Sequence, residues 1–282
     1  SYRLHLDNLG RSLRGEATSP VGLQRHAHFV AEAARFLRNH SPAGPSPFET
    51  ANYSILGPWG DGHILKAIGE RAVVQDNFGD DVAPVNFVRA EEYFAARRET
   101  EALAILLPMR TRYILVRSTG SGHSTGYSYE SLFSRLYRLR GNRGVVWKAA
   151  AQDTTIEQPL SRHRLIYQST PLDSTDSQPY IMLFEIVSGA ELVGQAAPDA
   201  TVKLRLEIMP RHGKRFQYDA SVLADGDGVY RFRLPYANES LSPNVRIARH
   251  YSLRVGTQRA KVVVPESAIL SGARIEGPSF VP

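Results

Sequence analysis

Apolar residues recur at helical spacing early in the chain. Leu23, Ala27, Val30, Ala34 and Leu37 fall on one stripe, which predicts an amphipathic helix. Ser19-Pro20 suits its start, a capping serine followed by proline at the first helical position. The pattern stops before "SPAGPSP" at 41–47, a turn-forming run. "ANYSIL" (51–56) then predicts a short strand, Gly62 to Ile68 a helix, and "AVVQ" (72–75) another strand. "AEEYFAA" and "ETEALAILL" predict helices and "RYILVR" (112–117) a strand. "SYESLFSRLYRL" (128–139) predicts an amphipathic helix with Tyr129, Leu132, Phe133, Leu136 and Tyr137 on one face.

The texture changes after about residue 175. "PYIMLFEIV", "TVKLRLEIM", "RFQYDASVLA", "VYRFRLPY", "HYSLRVG" and "AKVVVP" are short apolar or alternating runs separated by turn signals such as "PRHGK" and "ADGDG". No helix of normal length fits among them, and short strands punctuated in this way are the mark of a β-sandwich. The expected fold is therefore a multi-domain α+β chain. A helix-rich α/β core domain occupies residues 1–175 and an all-β sandwich residues 176–282, with no internal repeat.

Composition narrows the functions on offer. A chain of 282 residues with 42% hydrophobic content can bury a sizeable core. The net charge of +6 is carried by 34 basic residues, 29 of them arginine. These arginines are scattered singly, which is not the stripe of a nucleic-acid binder, and no nucleic-acid partner is expected. An anionic surface remains compatible with the charge. The absence of cysteine removes disulfides, thiolate metal sites and cysteine nucleophiles. The longest apolar run, "ALAILLPM" at 102–109, is far short of the roughly 20 residues of a membrane-spanning helix. No signal segment opens the sequence, so the expectation is a soluble chain or the soluble part of a larger protein.

Several segments could carry chemistry. "GPWGDGHILKAIG" (57–69) sets three glycines, a tryptophan and an aspartate between a strand and a helix, the setting of a phosphate cradle. Its glycines do not fit G-x-G-x-x-G, no Gly-Lys-Ser/Thr follows, and Trp59 and Asp61 would oppose a phosphate. "GHSTG" (122–126) matches G-x-S-x-G, and Asp173 and His212 follow in hydrolase order. "STGS" separates it from the preceding strand, so a polar loop competes with a serine hydrolase that uses Ser124. His26 and His28 stand two apart on a predicted helix, about 200° around its axis, which does not suit one metal ion. "DGDG" (225–228) has too few ligands for a calcium loop and reads as a hairpin turn. Asp80-Asp81 reads as a solvated acid pair.

One longer match stands above these. "ILGPWGDGHILKAIGERAVVQDNFG" (55–79) resembles the segment of oligosaccharyltransferase catalytic subunits that carries the W-W-D-x-G motif, flanked in that family by a histidine, a helix, an R-P-V-V-like strand and an N-F-G-like turn. Trp59 falls on the second tryptophan, Gly62 on the glycine and His63 on the histidine. "VAEAARFLRNHSP", "EEYFAARRETEALAILLPMRTRYILV" and "SLFSRLYRLRG" follow the family's order around it. "LFEIVSGAEL" through "ADGDGVYRFRLPYANES" is similar to archaeal-type members with an added β-sandwich. The resemblance covers roughly residues 20 to 265. This sequence departs from the family at Pro58, in place of the first tryptophan, and at Gly60, in place of the motif aspartate, with Asp61 one position late. The family's second acceptor-binding motif has no counterpart in "RSTGSGHSTGYS" (117–128).

The resemblance implies the extracytoplasmic C-terminal region, periplasmic or extracellular, of a membrane glycosyltransferase that moves glycan from a lipid-linked donor to protein asparagine. In that family the loop grips the Ser/Thr hydroxyl of the acceptor sequon, which gives Trp59, Gly60, Asp61, Gly62 and His63 as acceptor-peptide residues here. An indole N–H donates, a carboxylate accepts, and the tryptophan excludes water. No catalytic residue is expected in this chain, and the chain alone should be inactive. Its partners would be an acceptor protein or peptide and, through a membrane part, the lipid-linked oligosaccharide. The divalent metal, Mn or Mg, is expected in that part too. Besides the Ser124 hydrolase, a non-enzymatic carbohydrate-binding or adhesion module would account for residues 176–282.

Overall fold

The computed structural model describes residues 22–44, 49–79, 81–118, 126–148, 151–172, 178–239 and 242–281. Ser124, Asp173, Asp80 and the predicted Ser19-Pro20 cap lie outside the described residues. The fold is mixed α/β with several sheets.

Helix α1 (Gly22–His40) is followed by β1 (Ser54–Leu56) and α2 (Gly62–Gly69). Then come α3 (Pro84–Ala95), α4 (Glu99–Leu106), β2 (Thr111–Arg117) and α5 (Leu132–Leu139). Ser131 caps α5 by accepting from the Ser134 N–H at 3.2 Å, which satisfies one of the free donors of a helix start. A hairpin of β3 (Gly144–Lys148) and β4 (Asp153–Glu157) precedes β5 (His163–Gln168) and β6 (Ile181–Ile186). The first sheet has the order β1-β2-β6-β5; β1 runs parallel to β2, and the other pairs are antiparallel.

Strand alternation divides the residues of this sheet between two faces. Tyr113 and Leu115 of β2 and Ile181 and Leu183 of β6 join Val30, Ala34 and Leu37 of α1 and Leu65 of α2 in one apolar cluster. Ile114 and Val116, with Met182 and Phe184, join α3, α4 and α5 in another. The sheet is thus covered by helices on both faces, and its inner strands are buried on both sides. Arg117 continues the odd-numbered series and so faces α1.

The remaining strands form two further sheets. β7 (Ala190–Gln195) lies between β10 (Val229–Leu234), antiparallel, and β14 (Arg274–Ser279), parallel. β8 (Thr201–Pro210) pairs from Thr201 to Ile208 with the whole of β9 (Phe216–Leu223). Its other edge takes β11 (Val245–Ile247) and β12 (Tyr251–Val255), with β13 (Gln258–Val262) outside β12. β8 alternates exposed and buried residues along its length, as a half-buried strand should. A short helix, α6 (Glu266–Ser271), precedes β14.

Three sequence expectations differ from this. β6, counted with the β-rich tail, is an inner strand of the first sheet; its first four residues are all apolar and buried, so no phase reveals which sheet it joins. "AVVQ" forms only a bridge, Ile55 with Val73. "DGDG" makes a tight turn, with Gly228 N–H donating to Asp225 O at 2.8 Å. It is not a hairpin, because β9 and β10 belong to different sheets.

Candidate functional site

The loop at 57–63 is built from its neighbours inward. Ile55 N–H donates to Ala72 O and Val74 N–H to Ile55 O, both at 2.9 Å, so the chain after α2 returns beside β1. Gln75 Nε2 then donates to Gly57 O at 2.9 Å, and Asn77 Nδ2 to Gly60 O at 3.0 Å. Between them the backbone tightens into a 3-10 turn, Trp59–Asp61, where Asp61 N–H meets Pro58 O at 3.0 Å. Gly62 opens α2 against residues 75–76. A Cβ there would lie 2.5 Å from Asp76 Cα and from Gln75 O, so the close approach itself requires glycine.

The turn sends its side chains to opposite sides. Trp59 is 53% exposed and stands outward. His63, one turn later, is also exposed, and its ring lies edge-on to Phe78 at 4.8 Å between centroids. Asp61 is 0% exposed. Its Oδ2 accepts from Arg117 Nε at 2.8 Å, and His26 Nε2 lies 2.8 Å from Oδ1. The second contact is close in distance, but Oδ1 accepts no hydrogen bond through it. His26 Nδ1 is 2.8 Å from the Tyr180 hydroxyl. In a neutral ring with its proton on Nε2, Nδ1 accepts from Tyr180. Burial, with the Asp61 charge assisting, raises the Tyr180 hydroxyl above its ordinary value against the opposing pull of Arg117.

The sequence placed Trp59, Gly60, Asp61, Gly62 and His63 together as one peptide-facing group. The structure keeps them adjacent but sets Asp61 inward. Nothing covers a Cβ at Gly60, and at Gly62 the backbone is packed. Reasoning from sequence missed the residues that hold Asp61. His26 was weighed only as a metal ligand, and Arg117 only as the end of the strand "RYILVR"; the signal available for it was a charge two residues after buried Leu115 on the same strand face. His28, by contrast, faces Glu32 at 3.5 Å.

Asp76, from the neighbouring turn, is the carboxylate nearest the exposed side. It takes a hydrogen bond from Lys66 Nζ at 2.9 Å and from Phe78 N–H at 3.0 Å, and lies 3.9 Å from His63 Nε2. Burial pushes its carboxyl up, but the Lys66 bond, the Phe78 amide and the nearby cations together hold it below the ordinary range. Among the described residues no three His, Asp or Glu side chains converge as metal ligands would.

Two other polar clusters lie away from the loop. Glu99, His163 and Tyr93 form a buried chain, with His163 Nδ1 2.6 Å from Glu99 Oε1 and Nε2 2.8 Å from the Tyr93 hydroxyl. Arg112 and Arg164 share Glu185, and Arg164 also binds Glu266 at 2.6 and 2.8 Å. A cavity of about 280 Å³ lies over this ladder, walled by Phe36, Tyr113, Ile166 and Tyr236. No residue of 57–63 lines it, and Arg112, Arg164, Glu185 and Glu266 along it are engaged with each other.

Comparison with known proteins adds the following. Residues 189–275 match the family described as the archaeal glycosylation protein B long peripheral domain. The fold is similar to archaeal oligosaccharyltransferase AglB from Archaeoglobus fulgidus in complex with an inhibitory peptide and a dolichol-phosphate. There the TM-score is 0.69 at 15% identity, over 96% of this chain and 44% of that one. It is also similar to an Archaeoglobus fulgidus oligosaccharyltransferase tethered with an acceptor peptide containing the NVT sequon, with TM-score 0.67, 15% identity, and 93% and 44% of the two chains covered. A third similar structure is the oligosaccharyltransferase of the same organism in complex with Zn and sulfate, with TM-score 0.66, 16% identity, and 93% and 47% covered. At these identities the likeness is one of fold, and the chain spans less than half the length of these proteins. No curated protein sequence matches it. The family match and the shared fold bear out the resemblance to oligosaccharyltransferases read from the sequence.

Proposed function

We propose that this oligosaccharyltransferase-type globular region receives the acceptor peptide of a membrane glycosyltransferase, with the Trp59 loop as its contact. The observation that carries the reading is the outward stance of Trp59 on a turn fixed from beneath. A tryptophan half exposed at a strand-to-helix junction leaves its N–H and ring face free for a partner. Asp61 serves this as a positioning residue. Its carboxylate, held by Arg117 and His26, anchors the turn on the first sheet and aims the indole outward. His63, one turn along, offers a polar group beside it, with Asp76 behind.

In this reading the indole N–H donates to the Ser/Thr hydroxyl of the acceptor sequon, and the ring shields that bond from water. A site built to pair a hydroxyl discriminates strongly against residues that lack one. The transfer chemistry, its divalent metal and the lipid-linked donor would belong to the membrane part of such an enzyme. The region would sit on the extracytoplasmic side, where the family's acceptors are met. The order proposed is a helix-rich α/β unit carrying the loop, followed by a two-sheet β unit that spaces or braces it.

The test compares Trp59→Ala with the native sequence in the full-length enzyme. Acceptor-peptide turnover should fall ten- to a hundredfold, on the scale of about 1–3 kcal/mol for a lost buried hydrogen bond. The melting temperature of the 282-residue chain should hardly move. Full turnover in a Trp59→Ala enzyme would remove the loop from acceptor binding.

A further inference from the structure

We propose that the outer face of the β8–β12–β13 sheet is a docking surface for an anionic lipid bilayer. This does not rest on the acceptor-peptide reading, which concerns a loop on other elements.

The face is set by strand register. Lys203 of β8 lies directly opposite Arg254 of β12, and Arg254 lies opposite Arg259 of β13. The next row on the same face is Arg205, Ser252 and Lys261. All six residues are exposed. Three cations in direct cross-strand register repel one another and destabilise the sheet, so packing gives no account of them. An anionic partner does.

The middle of the face is shaped to admit one. Serine is the smallest member of its row, so Arg205 and Lys261 flank a dip. Arg254 is drawn toward the adjoining turn, with Nε donating to Gly256 O at 2.6 Å. The result is a shallow groove of about 640 Å³ lined by these cations. The acids on the same face are already taken: Asp219 pairs with Arg205 at 2.7 Å, and Glu207 with Arg215 at 3.1 Å.

Two features favour lipid headgroups over a sugar or nucleic-acid chain. The groove has no aromatic side chain on which a ring or base could stack. Leu223 and Val263, both 64% exposed, stand at diagonal corners of the patch, where they can enter the headgroup layer while the cations meet phosphates. Basic residues combined with exposed aliphatics on one face are the composition of an interfacial surface.

The experiment is vesicle flotation of the whole 282-residue chain on phosphatidylglycerol–phosphatidylcholine vesicles and on phosphatidylcholine alone, at low and high salt. The chain should float with the anionic vesicles only, and less so at high salt. Each cation near such a surface contributes roughly fivefold in affinity, so Arg254→Glu with Arg259→Glu should lower it at least about 25-fold. The milder Lys203→Gln with Lys261→Gln, checked by circular dichroism for an intact fold, should lower it as well. Arg35→Glu with Arg98→Glu makes the same net-charge change on α1 and at the start of α4, and should leave most binding in place. Equal losses in both reversal pairs would reduce the effect to net charge and overturn the proposal, as would no binding to anionic vesicles. Patch-dependent binding to soluble polygalacturonate but not to vesicles would overturn it in favour of an acidic polysaccharide.

Discussion

Arg117 Nε donates to Asp61 Oδ2 over 2.8 Å, a bond between residues 56 positions apart that fastens the Trp59 turn to the end of β2. Asp61 is wholly enclosed, whereas Arg117 keeps some contact with solvent. Removing one partner therefore leaves a buried group unpaired, which costs more than the pair contributes. Asp61→Ala should lower unfolding free energy by about 1–3 kcal/mol, read from denaturant titration. Arg117→Ala should cost a similar amount. The double variant should cost clearly less than the two single losses combined. Strict additivity would mean that the two side chains act independently.

The glycines of the same loop should respond in opposite ways. Gly62→Ala forces a Cβ against the backbone of Gln75 and Asp76, an overpacking that costs about 1–3 kcal/mol. Gly60→Ala meets no atom within 4 Å. It should be neutral or stabilise by up to about 1 kcal/mol, because it restricts the unfolded chain. Melting curves of the two variants decide this, and comparable destabilisation in both would contradict the geometry.

Much of this loop was legible from sequence, and its orientation was not. The apolar stripe of α1, the run of α2 and the core of "RYILVR" are local patterns, and all three elements form at or near the expected residues. Asp61 is different, because the direction of its side chain depends on His26 and Arg117, which only the folded sheet brings to it. Strands such as β5, β7 and β14 were missed for a local reason: each of these six-residue runs mixes polar or charged residues or glycine among its apolar ones. β14 even contains Gly277 and Pro278, yet it pairs with β7. The tail lacks a long helical stripe, so the six residues of α6 were read through.

Acid should reveal the buried Glu99. Burial pushes its carboxyl up, but the His163 contact and the Ser161 amide and hydroxyl outweigh this and bring it down to about 2 from an ordinary 4.5. The folded value lies below the unfolded one. Its contribution is therefore complete above about pH 4.5 and is lost as pH falls from there toward about 2. The full loss is on the order of 3 kcal/mol and is complete only below the folded value. Glu99→Gln should be less stable than the native chain at neutral pH, and the gap should narrow between pH 4.5 and 2. Urea titrations across that range measure it. A gap that stays constant would show that the carboxylate charge contributes nothing.

The division of the chain can be tested by where it is cut. β6 lies between β2 and β5, with Ile181, Met182, Leu183 and Phe184 wholly buried. A fragment of residues 176–282 carries this strand without either neighbour. It would present an apolar edge and two apolar faces, the condition for self-association. A fragment of 187–282 omits it and keeps β7 to β14, whose inward residues Leu192, Phe232, Leu204 and Leu253 belong to a cluster that also takes in Ile114, Met182 and Phe184 of the first sheet. That fragment should remain monomeric and melt cooperatively, though below the full chain. It loses contacts that now cross the cut, such as the Tyr236 hydroxyl accepting from Leu165 N–H at 2.9 Å and Asn244 Oδ1 accepting from Gln168 N–H at 2.9 Å. The longer fragment should elute from a sizing column as oligomers. If 187–282 shows no cooperative transition while 176–282 is a monomer with one, then β6 is structurally part of the tail and the β unit begins before it.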